Sequence, residues 1–176
     1  MRPGGEGKNV KNGFDILAGV WYNGIKGCDV MLKIYLDNCC YNRPFDDLTQ
    51  IKINLEAKAI ESILSMHENE KLEIYTSEVV NFEISSISDT SKKQQVEDLH
   101  DMLPLKNIES NDLIKNRAIE LRKSNIKDMD SLHIAFAESA NVDYFITTDK
   151  ILINVSNRVK LKTKIINPIK FVMEVE

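Results

Sequence analysis

The sequence predicts an α/β domain: a short, mostly parallel sheet with helices on both sides. Three observations predict it. Apolar runs at Leu32–Leu36, Leu72–Tyr75, Asp143–Thr147 and Val159–Ile166 read as strands. Segments with helical spacing separate them, and strands alternating with helices imply parallel pairing. No glycine occurs after Gly27, which removes the phosphate-cradling loops of nucleotide-binding α/β folds.

Each element has its own signal. Leu32–Leu36 is apolar and closes on Asp37, and a polar loop containing Pro44 follows. From Ile51 to His67, Ile53, Ala57, Ile60, Ile63 and Leu64 recur at helical period. Thr76 or Ser77 is placed to cap a helix over Glu78–Ile87. Lys92–Met102 reads as a largely polar helix, Pro104 breaks it, and Leu105–Ile108 reads as a short extended link. Ser110 is expected to cap a helix over Asp112–Lys123, whose early acid and late Arg122 and Lys123 suit the helix dipole. Asp128–Ala140 and Lys150–Val155 read as further helices, and Pro168 ends the last strand.

Composition bounds the function. The chain has 176 residues, enough for one domain with a sizeable core, and a net charge of −4. That balance argues against a simple basic clamp for nucleic acid, but not against an enzyme that meets phosphates through metal ions. No apolar run approaches the ~20 residues of a membrane helix, so the expected location is cytoplasmic. The cysteines are Cys28, Cys39 and Cys40, an odd number with an adjacent pair and no Cys-x-x-Cys. They read as reduced thiols, not as a disulfide framework or a zinc site.

All seven glycines and the single tryptophan fall before residue 28. Residues 1–30 are therefore expected to be a leader, an upstream extension or the product of a misassigned start, with the domain running from 31 to 176.

The acids form a pattern. Asp37 and Asp149 follow predicted strands; Glu83 and Asp130 lie near the starts of predicted helices. In a parallel α/β sheet, strand C-terminal ends and the next helix N-termini share one edge, where such folds place ligand sites. Four carboxylates converging there would repel one another and raise their own pKa values, and a divalent cation would relieve this. Oxygen donors without a nearby cysteine ligand suit Mg²⁺ or Mn²⁺. Each acid also has an ordinary competing job: Asp37 as a turn residue, Asp130 as a first-turn acid, Asp149 as a helix cap, Glu83 as a solvated helix acid. Asp128 and Glu78 compete with Asp130 and Glu83, and Asp128 is expected to cap its helix.

The segments "IYLDNCCYNRPFDD", "SEVVNFEIS", "KDMDSLHIAFAE" and "YFITTDK", in this order and spacing, resemble those of PIN-domain nucleases. Many members are toxins of bacterial toxin–antitoxin pairs. The resemblance runs from Met31 to Val175 and includes the closing "KIINPIKFV"; residues 1–30 have no counterpart in it. It implies a PIN-like three-layer fold and a metal-dependent ribonuclease, with Asp37, Glu83, Asp130 and Asp149 as its acidic catalytic and metal-binding site. It further implies Mg²⁺ or Mn²⁺, an RNA substrate, a frequent homodimer and often a small antitoxin partner. Asn38, Thr147 and Thr148 would support the site by hydrogen bonding to water or to a carboxylate.

Other residues carry weaker readings. Arg43, in the loop after Asp37, is a candidate phosphate contact. Arg158, Lys160, Lys162 and Lys164 would share one face of a strand, where lysines more often keep an edge soluble than bind RNA. His133 is expected to be a packed histidine bonded to a backbone carbonyl, and His67 and His100 to be solvated. A non-catalytic RNA-binding or regulatory module on the same fold is the alternative. A phosphatase with an aspartyl nucleophile would want an acid where Cys39 stands.

Overall fold

The structure, a computed structural model, describes residues 31–176. The expected leader, residues 1–30 with Cys28, lies outside the described residues. Five strands form one all-parallel sheet: β1 Leu32–Leu36, β2 Leu72–Ser77, β3 Lys106–Ile108, β4 Tyr144–Ile146 and β5 Lys164–Ile166. Their order is β3-β2-β1-β4-β5, so β1 is central. Among the described residues, eight α-helices flank the sheet: α1 Asn38–Asn42, α2 Ile51–Glu68, α3 Glu78–Ser85, α4 Thr90–Met102, α5 Asp112–Arg122, α6 Asp128–Ser139, α7 Lys150–Ser156 and α8 Pro168–Val175.

Strand alternation assigns the two layers. Partners in register point to the same side, so Tyr35 of β1 and Phe145 of β4 share one face. Their rings meet edge to face at 5.3 Å, and His133 of α6 packs on both. On the opposite face Tyr144 packs on Phe171 of α8, ring centroids 5.0 Å apart. Glu56 of α2, fully buried, accepts a hydrogen bond from Asn167 Nδ2 beside α8 at 2.8 Å. Helices therefore cover both faces, and the three C-terminal residues of β1, Ile34, Tyr35 and Leu36, have no exposed surface.

Four expectations about elements are corrected. The predicted loop after Asp37 is α1 followed by a 3₁₀ turn, Arg43–Phe45, with Pro44 inside it. A five-residue helix is too short to display a period, although Cys40 and Tyr41 are buried. The cap of α5 is Asn111, whose side chain accepts from Ile114 N, not Ser110. Of the predicted strand Val159–Ile166 only Lys164–Ile166 forms. The strand β4, which β5 pairs with, begins only at Tyr144, and Lys162 N donates instead to Glu138 Oε1 of α6 at 2.8 Å. The four cations of that segment thus do not form a strand face. Finally, Pro168 also starts a helix: it occupies the first turn of α8, and Asn167 caps it through Ile169 N. His67 and His100 are also engaged, not solvated. His67 Nδ1 lies 3.0 Å from Leu72 O, and His100 bonds Thr76 and packs on the Tyr41 ring.

Without glycine, left-handed turn positions fall to other residues. Asn125 and Asn141 have φ of 62° and 52°, which asparagine tolerates; Glu70, between α2 and β2, has φ of 56°. Glutamate lacks asparagine's local compensation there. Glu70→Gly is expected to raise stability by about 0.5–1 kcal/mol, relief of the left-handed penalty exceeding the added freedom of the unfolded chain. Denaturant titration of the two proteins checks this.

Candidate active site

The site lies at the C-terminal ends of β1 and β4. Asp37 directly follows β1, and its N–H donates to Ile146 O at 3.0 Å, so pairing with β4 carries on to the carboxylate. Oδ2 accepts from Thr147 Oγ1 at 2.6 Å and from Cys39 Sγ at 3.2 Å. Both donors to Asp37 thus fall on Oδ2. Its Oδ1 stands 4.0 Å from His133 Nε2.

Glu83, on α3, reaches the same place. Its Oε2 lies 2.8 Å from His133 Nε2. Ligand atoms of Asp37, Glu83 and His133 all lie within 4.8 Å of one another. Asp130 is in the first turn of α6, one turn before His133, and its half-buried carboxylate has no hydrogen bond or ion pair among the described residues. Burial and the Asp37 charge, with a smaller push from Asp149, hold its carboxyl above the usual carboxylate range; Lys127 opposes them. Burial alone would lower His133, but the bond to Glu83 and the charges of Asp37, Glu83 and Asp130 outweigh it and hold the ring above the usual imidazole range.

Asp149 does the competing job foreseen for it. Its Oδ1 accepts from Ile151 N and Leu152 N at 2.6 and 3.2 Å, capping α7. Its charge is nonetheless felt at Asp130. Thr147 is buried and takes Asp149 N onto the same hydroxyl that donates to Asp37, so one oxygen aligns both acids. Glu78 and Asp128 stay outside the cluster: Glu78 is exposed, and Asp128 pairs with Arg122 at 2.7 Å instead of capping.

The remaining predicted site residues are held within the protein. Asn38 Oδ1 accepts from Asn42 Nδ2, one turn on in α1. Thr148 Oγ1 accepts from Arg43 at 2.6 Å, and Arg43 also pairs with Asp46 at 2.7 Å and lies 3.2 Å from buried Glu56. The guanidinium, 15% exposed, therefore ties the 3₁₀ turn to α2 and to the β4–α7 loop. The sequence reading missed Tyr35 and Cys39 and gave His133 the wrong partner: its ring bonds the Tyr35 hydroxyl and Glu83, not a backbone carbonyl. The signal for His133 was its place three residues after Asp130, on the same helix face. For Tyr35 it was strand alternation, and for Cys39 nothing beyond its closeness to Asp37.

A hard divalent cation fits these residues. Asp37 keeps Oδ1 without a donor, Asp130 carries an uncompensated carboxylate, and the donors are chiefly carboxylate oxygens. Asp37 and Glu83, whose ligand atoms the fold brings together, would hold it; Asp130 and Asp149 lie near enough for their charges to be felt but outside that tight group.

Two tests follow from this geometry. A raised Asp130 pKa means the folded state keeps that proton longer than the unfolded state, so its contribution to stability falls as pH rises from the unfolded value near ~3.9 through the folded one. In chelator, Asp130→Asn should therefore gain on the parent protein between pH 4 and pH 7 in thermal melts, and should lose the stabilisation that Mn²⁺ gives the parent. Arg43→Ala should destabilise the fold by about 1–3 kcal/mol without RNA present, since it removes the bonds to Asp46 and Thr148 and one of the two cations beside buried Glu56, while Lys52 at 3.1 Å remains; chemical denaturation measures this.

A PIN domain family model matches residues 49–157, which include Glu83, Asp130 and Asp149 and begin after Asp37. No curated protein matches the chain. Among solved structures, the crystal structure of PAE2754 from Pyrobaculum aerophilum aligns over 84% of this chain and 97% of its own, at 16% identity and a TM-score of 0.48. The family match spans more than half of the sequence, and the chain belongs to the PIN domain family.

Proposed function

We propose that this protein is a divalent-metal-dependent endoribonuclease that hydrolyses RNA phosphodiester bonds, and that it acts as the toxin of a toxin–antitoxin pair. PIN domains are generally nucleases, which supports the general class. The observation that carries the reading is the convergence of Asp37 and Glu83 beside half-buried Asp130, whose carboxyl is destabilised in its charged form. A protein that only bound RNA would gain nothing from carboxylates facing an anionic ligand, whereas a cation turns the same repulsion into affinity.

In this reading Asp37, Asp130 and Asp149 hold Mg²⁺ or Mn²⁺, and Glu83 helps hold a second ion or orients the attacking water. When bound, the ion polarises a phosphodiester oxygen and makes hydroxide available near neutral pH. The chain's residues do the positioning. Thr147 and Cys39 fix the Asp37 carboxylate through Oδ2 and leave Oδ1 without a donor. The peptide ladder between β1 and β4 sets the separation of Asp37 from Asp149. Water adds to phosphorus, the bond to one ribose oxygen breaks, and a proton passes to that leaving oxygen. A small antitoxin protein and a second copy of the chain are the proposed partners.

Asp37→Asn keeps the shape of the side chain and removes one ligand charge. It should leave the circular dichroism spectrum and melting behaviour of the fold in place. Mn²⁺-dependent cleavage of mixed RNAs should fall by more than the about 10–100-fold that losing an outer partner costs. An Asn variant as active as the parent refutes the reading, as does RNA binding without cleavage in Mg²⁺ and Mn²⁺. For the toxin role, expression of the parent but not of Asp37→Asn should arrest growth, and co-expression of a small open reading frame adjoining this gene should restore it.

A further inference from the structure

Three short hydrogen bonds run beneath the acidic cluster. Ser77 Oγ and Tyr35 Oη are 2.6 Å apart, Tyr35 Oη and His133 Nδ1 2.8 Å, and His133 Nε2 and Glu83 Oε2 2.8 Å. Ser77 and Tyr35 have no exposed surface, and His133 is 2% exposed. Ser77 sits at the N-cap position of α3, yet its side chain makes no cap bond and turns inward to Tyr35. Serine at that position ordinarily satisfies a helix N–H; here a local rule is set aside, as happens where a site needs the group elsewhere. The bonded path starts at Ser77, the last residue of β2, crosses β1 and α6, and ends at Glu83 on α3.

We propose that His133 is a positioning residue: it holds the Glu83 carboxylate toward the cation site by donating Nε2–H, and the buried Tyr35–Ser77 pair holds the ring for that purpose. The inference rests on the metal-dependent nuclease reading. An ionised carboxylate only accepts hydrogen bonds, so Nε2 carries the proton at the Glu83 contact. In the neutral ring, Nδ1 then accepts from Tyr35, and Tyr35 accepts from Ser77. In the doubly protonated ring both of those bonds reverse, and the Nε2 donation is unchanged. His133 therefore offers Glu83 a donor instead of offering a cation a lone pair, although its distance to Asp37 and Glu83 would also suit a ligand. Glu83 Oε1 stays available, and ring packing on Tyr35 at 5.8 Å and Phe145 at 6.1 Å fixes the imidazole plane.

The test separates positioning, ligation and bare packing. Imidazole ¹⁵N NMR of the parent protein should show Nε2 protonated without metal and still protonated on saturation with Mg²⁺; loss of that proton on Mg²⁺ binding overturns the proposal. Among variants, His133→Gln can still donate from the place of Nε2, whereas His133→Asn places its amide near Nδ1 and leaves Glu83 without a donor. His133→Asn should weaken Mn²⁺ binding by calorimetry by about 10–100-fold and lower kcat with little change in KM for RNA, and His133→Gln should recover most of both. Equal losses in the two variants mark His133 as a ligand and overturn the proposal. Lowered melting temperatures with unchanged Mn²⁺ affinity mark it as packing and overturn it as well. A parent that binds no cation overturns the nuclease reading together with the inference; a parent that cuts RNA while Gln and Asn behave alike overturns the inference alone.

Discussion

Asp37 is kept beside Glu83 and near Asp130 although their charges oppose it, and several surrounding contacts hold them there. The backbone supplies the first restraint. Asp37 continues β1 and is pinned by Ile146 O, so it cannot withdraw without breaking the sheet's centre. Side chains supply the second: Thr147 donates to Asp37 and receives Asp149 N, and His133 holds Glu83. Asp130 has no such help, and burial first, then the nearby Asp37 charge, push its carboxyl above the usual carboxylate range. Stability and chemistry are here in opposition, since the acids that strain the metal-free protein are those a cation would use.

The central features were legible because they depend on local pattern plus one rule of topology. Leu32–Leu36 and the run from Ile51 show their periods openly. Placing Asp37 and Asp149 together needed only the principle that parallel strands end at one edge. The ends of elements were harder. Lys162 left its predicted strand for Glu138, a partner 24 residues away that no strand pattern reveals. α1 is too brief to carry a period, and Pro168 both ends one element and begins another.

Within the site, residue types were easier to read than pairings. His133 was recognisably a packed histidine, but its partner depends on which strand residue faces α6, and that follows from sheet register. Arg43 shows the same limit. A cation next to the acidic edge suggests phosphate, while its partners Glu56 and Thr148 are brought to it only by the folded chain. Thr148, adjacent to Thr147, is consumed in that contact, so two neighbouring threonines divide their work between the acid cluster and the loop anchor.

The outer strands β3 and β5 have three residues each, and each begins with a lysine, Lys106 or Lys164, paired to an acid, Glu73 or Glu174. Such margins offer a neighbouring molecule only a few peptide groups, guarded by charge. Pairing of two sheets edge to edge is accordingly disfavoured at both margins.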